Sequence, residues 1–169
     1  MKRALYDKIN QLLGYFPAVV ILGARQCGKT TLAKMLRPDW RYLDLDNPSD
    51  LAHFQGQDPV FYLRHYDRSL IIDEAQAYPQ IFDILRGVID EHRDQKGRFI
   101  LTGSSSPELL KHVTNSLAGR VAIVDLGTLM PGELFGKSTP EFYQYVQGTR
   151  TIKDLCFIKP SITKSELYQ

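Results

Sequence analysis

Residues 19–36 read VVILGARQCGKTTLAKML, and this stretch decides the fold of the chain. Its centre, from Gly23 to Thr30, has the spacing G-x-x-x-x-G-K-[ST], which is typical of a phosphate-binding loop. The two glycines let the backbone turn sharply and point successive N–H groups at phosphate oxygens. A buried apolar strand before the loop and a helix after it separate such a loop from a chance match in a glycine-rich turn. The stretch therefore predicts binding of a nucleoside triphosphate.

The residues of the loop predict separate roles. Lys29 is expected to reach the β- and γ-phosphates, and Thr30 to coordinate Mg²⁺. The helix that begins near Gly28 adds the positive end of its dipole. Arg25 occupies a free position, either facing solvent or touching a phosphate, whereas Cys27 is expected to be a small filler near the phosphate. The predicted nucleotide-binding residues are Gly23, Ala24, Arg25, Gln26, Cys27, Gly28, Lys29, Thr30 and Thr31.

Length and composition narrow the class of protein. The chain has 169 residues, enough for one ordinary domain, of which 43% are hydrophobic and 24% charged. A net charge of +2, without a basic patch that contains aromatic residues, does not indicate nucleic acid as a partner. No apolar run approaches the ~20 residues of a membrane span, and the N-terminus lacks the apolar centre of a signal peptide. Two cysteines make no disulfide framework, so we expect a cytoplasmic protein.

Apolar periodicity predicts strands and helices in alternation. Buried strands are expected over residues 18–22, 41–46, 69–74, 98–102 and 121–124. Helices are expected over residues 2–13, 28–36, 50–66 and 107–117, and the clearest one over 81–89, where apolar residues line one face for two turns. Strands that alternate with helices in this way form an α/β fold with a mainly parallel sheet.

The third strand ends in two acids, in the segment LIIDEAQ. An acid at the end of an apolar strand downstream of a phosphate loop is typical of a Walker B strand, in which Asp73 would hold Mg²⁺ through water, opposite Thr30. The neighbouring Glu74 is placed to polarise a water molecule for attack on the γ-phosphate. Hydrolases need such a base, whereas small-molecule kinases activate a substrate hydroxyl, so the pair favours hydrolysis. The alternative is that both acids merely end a strand in solvent.

Two later segments add candidates for the same chemistry. FILTGSSS, residues 99–106, is an apolar strand that ends in small hydroxyl residues. Thr102 or Ser104 is placed to orient the attacking water. A serine-rich turn that caps the next helix is the alternative explanation of the segment, and both can be true. Arg120 precedes the last strand, where an arginine would stabilise charge on the transferring phosphate, in its own site or a neighbour's. A plain surface position for Arg120 is equally open.

Taken in order, the segments GARQCGKTTLAKML, YLDLD, LIIDEAQ, FILTGSSS and SLAGRV resemble prokaryotic AAA-superfamily ATPases of the archaeal-ATPase-like group. The resemblance covers roughly residues 15–135. It implies a three-layer P-loop NTPase sandwich whose five-stranded sheet has the additional-strand order 5-1-4-3-2, and ATP and Mg²⁺ as cofactors. It also implies that Asp73 serves the metal and Glu74 catalysis, that Thr102 lies in the sensor strand, and that Arg120 is the arginine of the group's SLAGR motif. The catalytic candidates are therefore Lys29, Glu74, Thr102 and Arg120.

We therefore expect an ATPase core over residues 1–135 and, over 136–169, a tail or the incomplete start of a second domain. Members of the group continue past this point with a C-terminal domain of poorly defined function, so a fragment or a shortened product is expected. The leading hypothesis is Mg²⁺-dependent ATP binding with hydrolysis, which is slow unless a second chain or a partner protein supplies an arginine. The alternatives are a truncated nucleotide-binding module without turnover and a small-molecule P-loop kinase.

Overall fold

The computed structural model of the protein describes residues 3–55, 58–65 and 70–134. Residues 2–129 form one compact unit, and the short helix Pro131–Leu134 belongs to a second. The strands are β1 (Ala18–Gly23), β2 (Arg41–Asp44), β3 (Leu70–Asp73), β4 (Phe99–Ser104) and β5 (Val121–Asp125). The helices are α1 (Tyr6–Tyr15), α2 (Lys29–Leu36), α3 (Pro48–Gln55), α4 (Pro59–His65), α5 (Ile81–Glu91), α6 (Pro107–Leu117) and α7 (Pro131–Leu134), with a 3₁₀ turn at Ala75–Ala77.

The five strands form one sheet in the order β2-β3-β4-β1-β5, and every neighbouring pair is parallel. The family resemblance implied the order 5-1-4-3-2, which is the same order read from β5 instead of from β2, and the prediction is confirmed. In register, Ala18 of β1 lies between Phe99 of β4 and Val121 of β5. Because all strands run the same way, their carboxyl ends meet at one edge of the sheet, and the phosphate loop leaves β1 from that edge.

Helices cover both faces of the sheet and create two cores. Successive residues of a strand point to opposite faces, so Val20 packs in the cluster that contains α5 and α6 residues such as Leu85. Its neighbour Val19 packs in the other cluster, which contains residues of α1 and α2 such as Leu32. The three-layer sandwich is therefore confirmed. None of the helices in the described ranges is both long and apolar enough to span a membrane.

Several element boundaries differ from the predicted ones. Helix α1 begins at Tyr6 rather than at residue 2 and continues through Gly14 to Tyr15, and Pro17 then prevents its continuation. The single helix expected over residues 50–66 is two helices, because Pro59 has no N–H to donate and instead begins α4. Strand β2 ends at Asp44, before the expected Asp46, and β4 extends two residues beyond Thr102. The tail expected over residues 136–169 lies outside the described residues.

Candidate nucleotide-binding site

The loop between β1 and α2 needs its two glycines for different reasons. Gly28 has φ 94°, a left-handed conformation that side chains disfavour. At Gly23 a Cβ atom would lie 2.4 Å from the carbonyl oxygen of Leu126, so no side chain fits there. Gln26 is also left-handed, with φ 63°, and such non-glycine residues are uncommon and concentrate at functional sites. The loop thus requires glycine at Gly28 for its left-handed turn and at Gly23 for the close approach of the Leu126 backbone.

Backbone donors cluster where α2 begins. The first amides of a helix have no intrahelical acceptor, and here Leu32 is the first to donate, to the carbonyl of Gly28 at 2.9 Å. Within the described ranges, no hydrogen bond is found for the N–H groups of the preceding four residues, Gly28, Lys29, Thr30 and Thr31. These donors and the positive end of the helix dipole together make a geometry suited to an anion.

The remaining side chains of the loop divide into exposed and buried ones. Ala24, Arg25 and Gln26 are exposed, whereas Cys27 is buried and packs next to Gly23. Lys29 is also buried, and its ammonium group donates to the carbonyl oxygens of Gly23 at 3.1 Å and Ala24 at 2.9 Å. Cys27 therefore fills the base of the loop, and the charge of Lys29 lies against the loop backbone.

Asp73 accepts four hydrogen bonds at the carboxyl end of β3. The hydroxyl groups of Thr30 and Tyr42 donate to Oδ2 at 2.7 Å and 2.6 Å. The hydroxyl of Thr102 donates to Oδ1, and so does the backbone N–H of Glu74, at 3.2 Å. The strands thus bring Thr30 and Asp73 together although 43 residues separate them.

The charge of Asp73 has no cationic partner in the part of the chain that the structure describes. Its side chain is only 2% exposed and is satisfied by neutral donors, so the negative charge stays uncompensated. Burial, and then the hydrogen bond to Asp73, raise the pKa of Tyr42 far above its ordinary value. Oxygen ligands around a buried carboxylate are the environment that Mg²⁺ prefers.

The described residues contain no cluster of three or more His, Cys, Asp or Glu side chains that would hold a metal by itself. Mg²⁺ does not require one, because it usually binds through one or two carboxylates together with substrate phosphates and water. The oxygens of Thr30 and Asp73 therefore fit a magnesium ion that arrives with a nucleotide.

Glu74 adopts a left-handed backbone, with φ 50°, as the chain leaves β3. Its carboxylate accepts a hydrogen bond from the side-chain amide of Gln76. The amide oxygen of Gln76 in turn accepts from the backbone N–H of Ser104, at 3.3 Å. Gln76 thus ties the side chain of Glu74 to the end of β4, and among the described residues it is the one hydrogen-bond partner of that side chain.

Thr102 and Ser104, both candidates for orienting water, occupy different environments. Thr102 is fully buried, and its hydroxyl donates to Asp73 and accepts from the N–H of Glu74 at 3.3 Å. That arrangement ties the carboxylate of Asp73 and the backbone of Glu74 to β4 and leaves no part of the Thr102 side chain exposed to solvent. Ser104 is half-buried beside Gly23, and no described residue bonds to its hydroxyl.

Arg120 lies at the amino ends of the strands, whereas the loop lies at their carboxyl ends. Val121, which follows it, pairs with Ala18 at the start of β1, whereas the loop follows the end of that strand. Its guanidinium binds both carboxylate oxygens of Asp90 on α5, at 2.8 Å and 2.7 Å, and this lowers the pKa of Asp90. The structure does not bring Arg120 to the loop of its own chain. Its action on a neighbouring chain stays a prediction.

Three residues at the site were not identified from the sequence. Tyr42 lies in the segment YLDLD, where alternation alone indicated only a strand. Gln76 follows the two acids by two positions, and its polar amide within LIIDEAQ was the available signal. Arg3 donates to the carbonyl of Cys27 at 2.8 Å, although 24 residues separate the two, and no local pattern indicates that contact.

Comparison with known proteins places these features in a family. The family description "AAA domain" matches residues 15–135. Two proteins described as uncharacterized, Rv2008c of Mycobacterium tuberculosis and Mb2031c of Mycobacterium bovis, are each 36% identical to the chain over 131 residues. The matched region is 76% of this chain but 29% of each relative, so the chain spans less than a third of the curated relatives it matches.

Solved structures show the same fold at low sequence identity. The Walker-type ATPase of Pyrococcus abyssi has a TM-score of 0.57 at 15% identity, over 81% of this chain and 59% of that one. A signal transduction ATPase with numerous domains and a tetratricopeptide repeat sensor, from Pyrococcus horikoshii, has 0.54 at 18% identity, over 88% and 27%. AMPPCP-bound DnaA of Aquifex aeolicus has 0.52 at 16% identity, over 90% and 58%. On the family match, the chain belongs to the AAA domain family and carries an AAA-type P-loop ATPase domain.

Proposed function

We propose that this domain binds ATP with Mg²⁺ and hydrolyses its terminal phosphoanhydride bond. The observation that carries the proposal is the 2.7 Å hydrogen bond between Thr30, the last residue of the loop motif, and the buried carboxylate of Asp73. It joins the end of the phosphate loop to the end of β3, where Glu74 follows. A site with both halves in contact suits hydrolysis better than a loop alone.

The nucleotide would be held mainly by backbone. The N–H groups from Gly28 to Thr31 provide donors for phosphate oxygens at the start of α2. Lys29 supplies the positive charge, and its ammonium group would exchange the carbonyl oxygens of Gly23 and Ala24 for those of the phosphates. The nucleotide-binding roles of Arg25, Gln26 and the other loop residues rest on their places in the motif.

Mg²⁺ would be held by the hydroxyl of Thr30 and by Asp73, and when bound it neutralises charge on the phosphate oxygens. Tyr42 and Thr102 fix the orientation of the Asp73 carboxylate, because each donates a hydroxyl hydrogen to a different oxygen of it. Thr102 therefore serves the proposed metal site as a positioning residue.

Glu74 would act as the general base. The oxygen of a water molecule attacks the γ-phosphorus, its proton passes to the Glu74 carboxylate, and the bond to the bridging oxygen breaks to release ADP. Gln76 holds one carboxylate oxygen, which leaves the other to accept the proton. The half-buried hydroxyl of Ser104 is the remaining candidate for orienting that water.

A nucleotide-binding module without turnover is the second candidate. It is favoured by one observation, the ion pair that holds Arg120 to Asp90 away from its own loop. With no cis arginine from this position, fast hydrolysis would depend on Arg120 of a second chain or on a partner protein. For either candidate function, we propose that the ATPase core comprises residues 1–135 and that residues 136–169 form a tail or the incomplete start of a second domain.

The test is the steady-state release of phosphate from Mg-ATP at several protein concentrations. Glu74→Gln should still bind ATP but release phosphate at least about 100-fold more slowly, since general bases contribute about 10²–10⁴-fold. Lys29→Ala should lose ATP binding. Glu108→Gln and Lys111→Ala, both exposed on α6, are the matched controls and should behave as wild type.

The outcomes separate the candidates. If Glu74→Gln hydrolyses ATP at the wild-type rate, the assignment of the base is wrong. A rate per chain that rises with protein concentration supports an arginine supplied by a second chain. ATP binding with no phosphate release at any concentration favours the module without turnover, and absence of ATP binding by wild type contradicts the whole proposal.

A further inference from the structure

Arg3 joins two segments that are remote from it in sequence. Its side chain is almost wholly buried, with 7% exposed. Nη1 donates to the carbonyl oxygen of Cys27 at 2.8 Å, and Nη2 donates to those of Gly127 at 2.8 Å and Thr128 at 3.4 Å. The guanidinium therefore lies behind the phosphate loop, between its second half and the chain that follows β5.

The bond to Cys27 fixes a second group through peptide geometry. The carbonyl of Cys27 and the N–H of Gly28 belong to one planar peptide unit and, because the bond is trans, point in opposite directions. The carbonyl faces Arg3 on the outer side of the loop, so the N–H faces the inner side, where no described residue accepts it. A cation on the carbonyl also polarises the unit and strengthens the N–H as a donor.

Both glycines of the loop motif pack against the same support, which we define as Arg3 and residues 126–128. A Cβ on Gly28 would lie 3.3 Å from Nη1 of Arg3, and one on Gly23 would lie 2.4 Å from the carbonyl oxygen of Leu126. The N–H of Leu126 donates to Leu22 at 2.7 Å, which extends the β5 pairing up to the loop. The outer side of the loop is thus in contact with this support at both ends.

We propose that Arg3 is a positioning residue of the nucleotide site, which orients the Gly28 N–H toward a phosphate oxygen without touching the nucleotide. The inference rests on the proposed nucleotide binding. Loop amides face the phosphates that are common to ATP and ADP, so Arg3 supports both nucleotides equally. An arginine that merely joined segments would affect stability and leave nucleotide affinity unchanged, and this difference decides the test.

The experiment measures calorimetric Kd values for Mg-ATP and Mg-ADP, with the melting temperature of the nucleotide-free protein, for the full chain and its Arg3→Gln and Arg3→Lys variants. Arg3→Gln should weaken both nucleotides about tenfold, the size expected for one hydrogen bond to a charged group. Arg3→Lys keeps a cation able to reach Cys27 and should recover part of the loss.

Arg37→Gln is the matched control. Arg37 also bridges two segments, because its Nη1 donates to Asn10 of α1 and to the carbonyl of Leu36 at the end of α2, both at 2.7 Å. It lies at the far end of α2 from the loop. This variant should lower the melting temperature and leave both Kd values unchanged.

A second measurement needs no nucleotide. The amide proton of Gly28, observed by ¹⁵N-edited NMR, should move upfield in Arg3→Gln and stay in place in Arg37→Gln. Equal Kd values for wild type and Arg3→Gln, an unmoved Gly28 resonance, or equal weakening in the Arg37 control would each overturn the inference and leave the proposed function intact. If wild type binds neither nucleotide, the proposed function falls and the inference with it.

Discussion

Asp73 lies where the strands end, at the carboxyl edge of the sheet, and Asp90 lies where the strands begin, at the amino edge. The environments of these two acidic residues differ. At the carboxyl edge, Asp73 is buried and is surrounded by hydroxyl and N–H donors, with no cation bound to it in the described ranges. At the amino edge, Asp90 is partly exposed and is paired with the guanidinium of Arg120. Both carboxylates accept hydrogen bonds at both oxygens, yet among the described residues only Asp90 has cationic partners.

The difference distinguishes a functional site at Asp73 from a structural ion pair at Asp90. A partly exposed ion pair contributes little and needs nothing further. A buried carboxylate with neutral donors is costly, and its cost is repaid when a cation from outside the chain binds. The contrast therefore locates the functional edge without reference to the motif, and it can be tested by neutralising each acid in turn.

The largest expected effect follows from neutralising the buried acid. Asp73→Asn should lower the affinity for Mg-ATP by about 100-fold or more, because it removes a proposed metal ligand and substitution of second-shell groups alone costs about 10–100-fold. The melting temperature of the nucleotide-free protein should stay at or above that of wild type, since an uncompensated buried charge is removed. Calorimetry and thermal unfolding measure the two quantities.

Asp90→Asn is the matched change at the other edge. It should leave nucleotide affinity unchanged and lower the melting temperature slightly. If Asp90→Asn weakened Mg-ATP binding as much as Asp73→Asn, the contrast between the edges would fail.

A smaller effect is expected at Gln76, which links Glu74 to β4. Gln76→Leu keeps the approximate size of the side chain but removes its hydrogen bonds to Glu74 and Ser104. The rate of phosphate release should fall about tenfold, with Kd for ATP unchanged, since one oriented hydrogen bond is lost from the base. In the Glu74→Gln background the same change should have no further effect on turnover. A full tenfold loss in that background would show that Gln76 acts elsewhere.

The smallest effect concerns pH and the amino edge. The hydrogen bond from Arg120 lowers the pKa of Asp90 below its usual 3.8, so the pair contributes stability above that pH. The contribution is lost as the pH falls through the lowered pKa, when Asp90 becomes protonated in the folded protein. Wild type should melt slightly above Arg120→Gln at pH 7, and the difference should shrink as the pH falls below 3.8 and disappear once Asp90 is protonated in the folded protein. A difference that persisted after this protonation would mean that packing, not charge, accounts for it.

Local patterns predicted much of this fold because its central strands are continuous apolar runs and its loop has a fixed spacing. The order of the strands came from the family resemblance, since periodicity alone does not specify which strands pair. The sequence pattern predicts one helix where the structure has α3 and α4, because helical spacing alone does not indicate that Pro59 starts a new helix. Arg120 comes directly before a parallel strand, and this position alone indicates the amino ends of the strands, away from the loop. The resemblance of SLAGR to the family motif instead favoured a catalytic role for Arg120.

The contacts that the sequence did not predict are long-range ones. Tyr42 reaches Asp73 across 31 residues, and Arg3 reaches Gly127 across 124. Each depends on the register of neighbouring strands and on the rotamer of a single side chain. No pattern within a window of ten or twenty residues contains that information.

The ammonium group of Lys29 donates to the carbonyl oxygens of its own loop, at 3.1 Å and 2.9 Å. Nucleotide binding at this loop would therefore be an exchange of acceptors, in which the lysine gives up two backbone partners for phosphate oxygens. The measured affinity would report the difference between the two sets of bonds. The lysine of such a loop reaches the β- and γ-phosphates, so a ligand without a β-phosphate would offer Lys29 no oxygen for the exchange. The loop would then discriminate by phosphate number before any contact with the base or sugar.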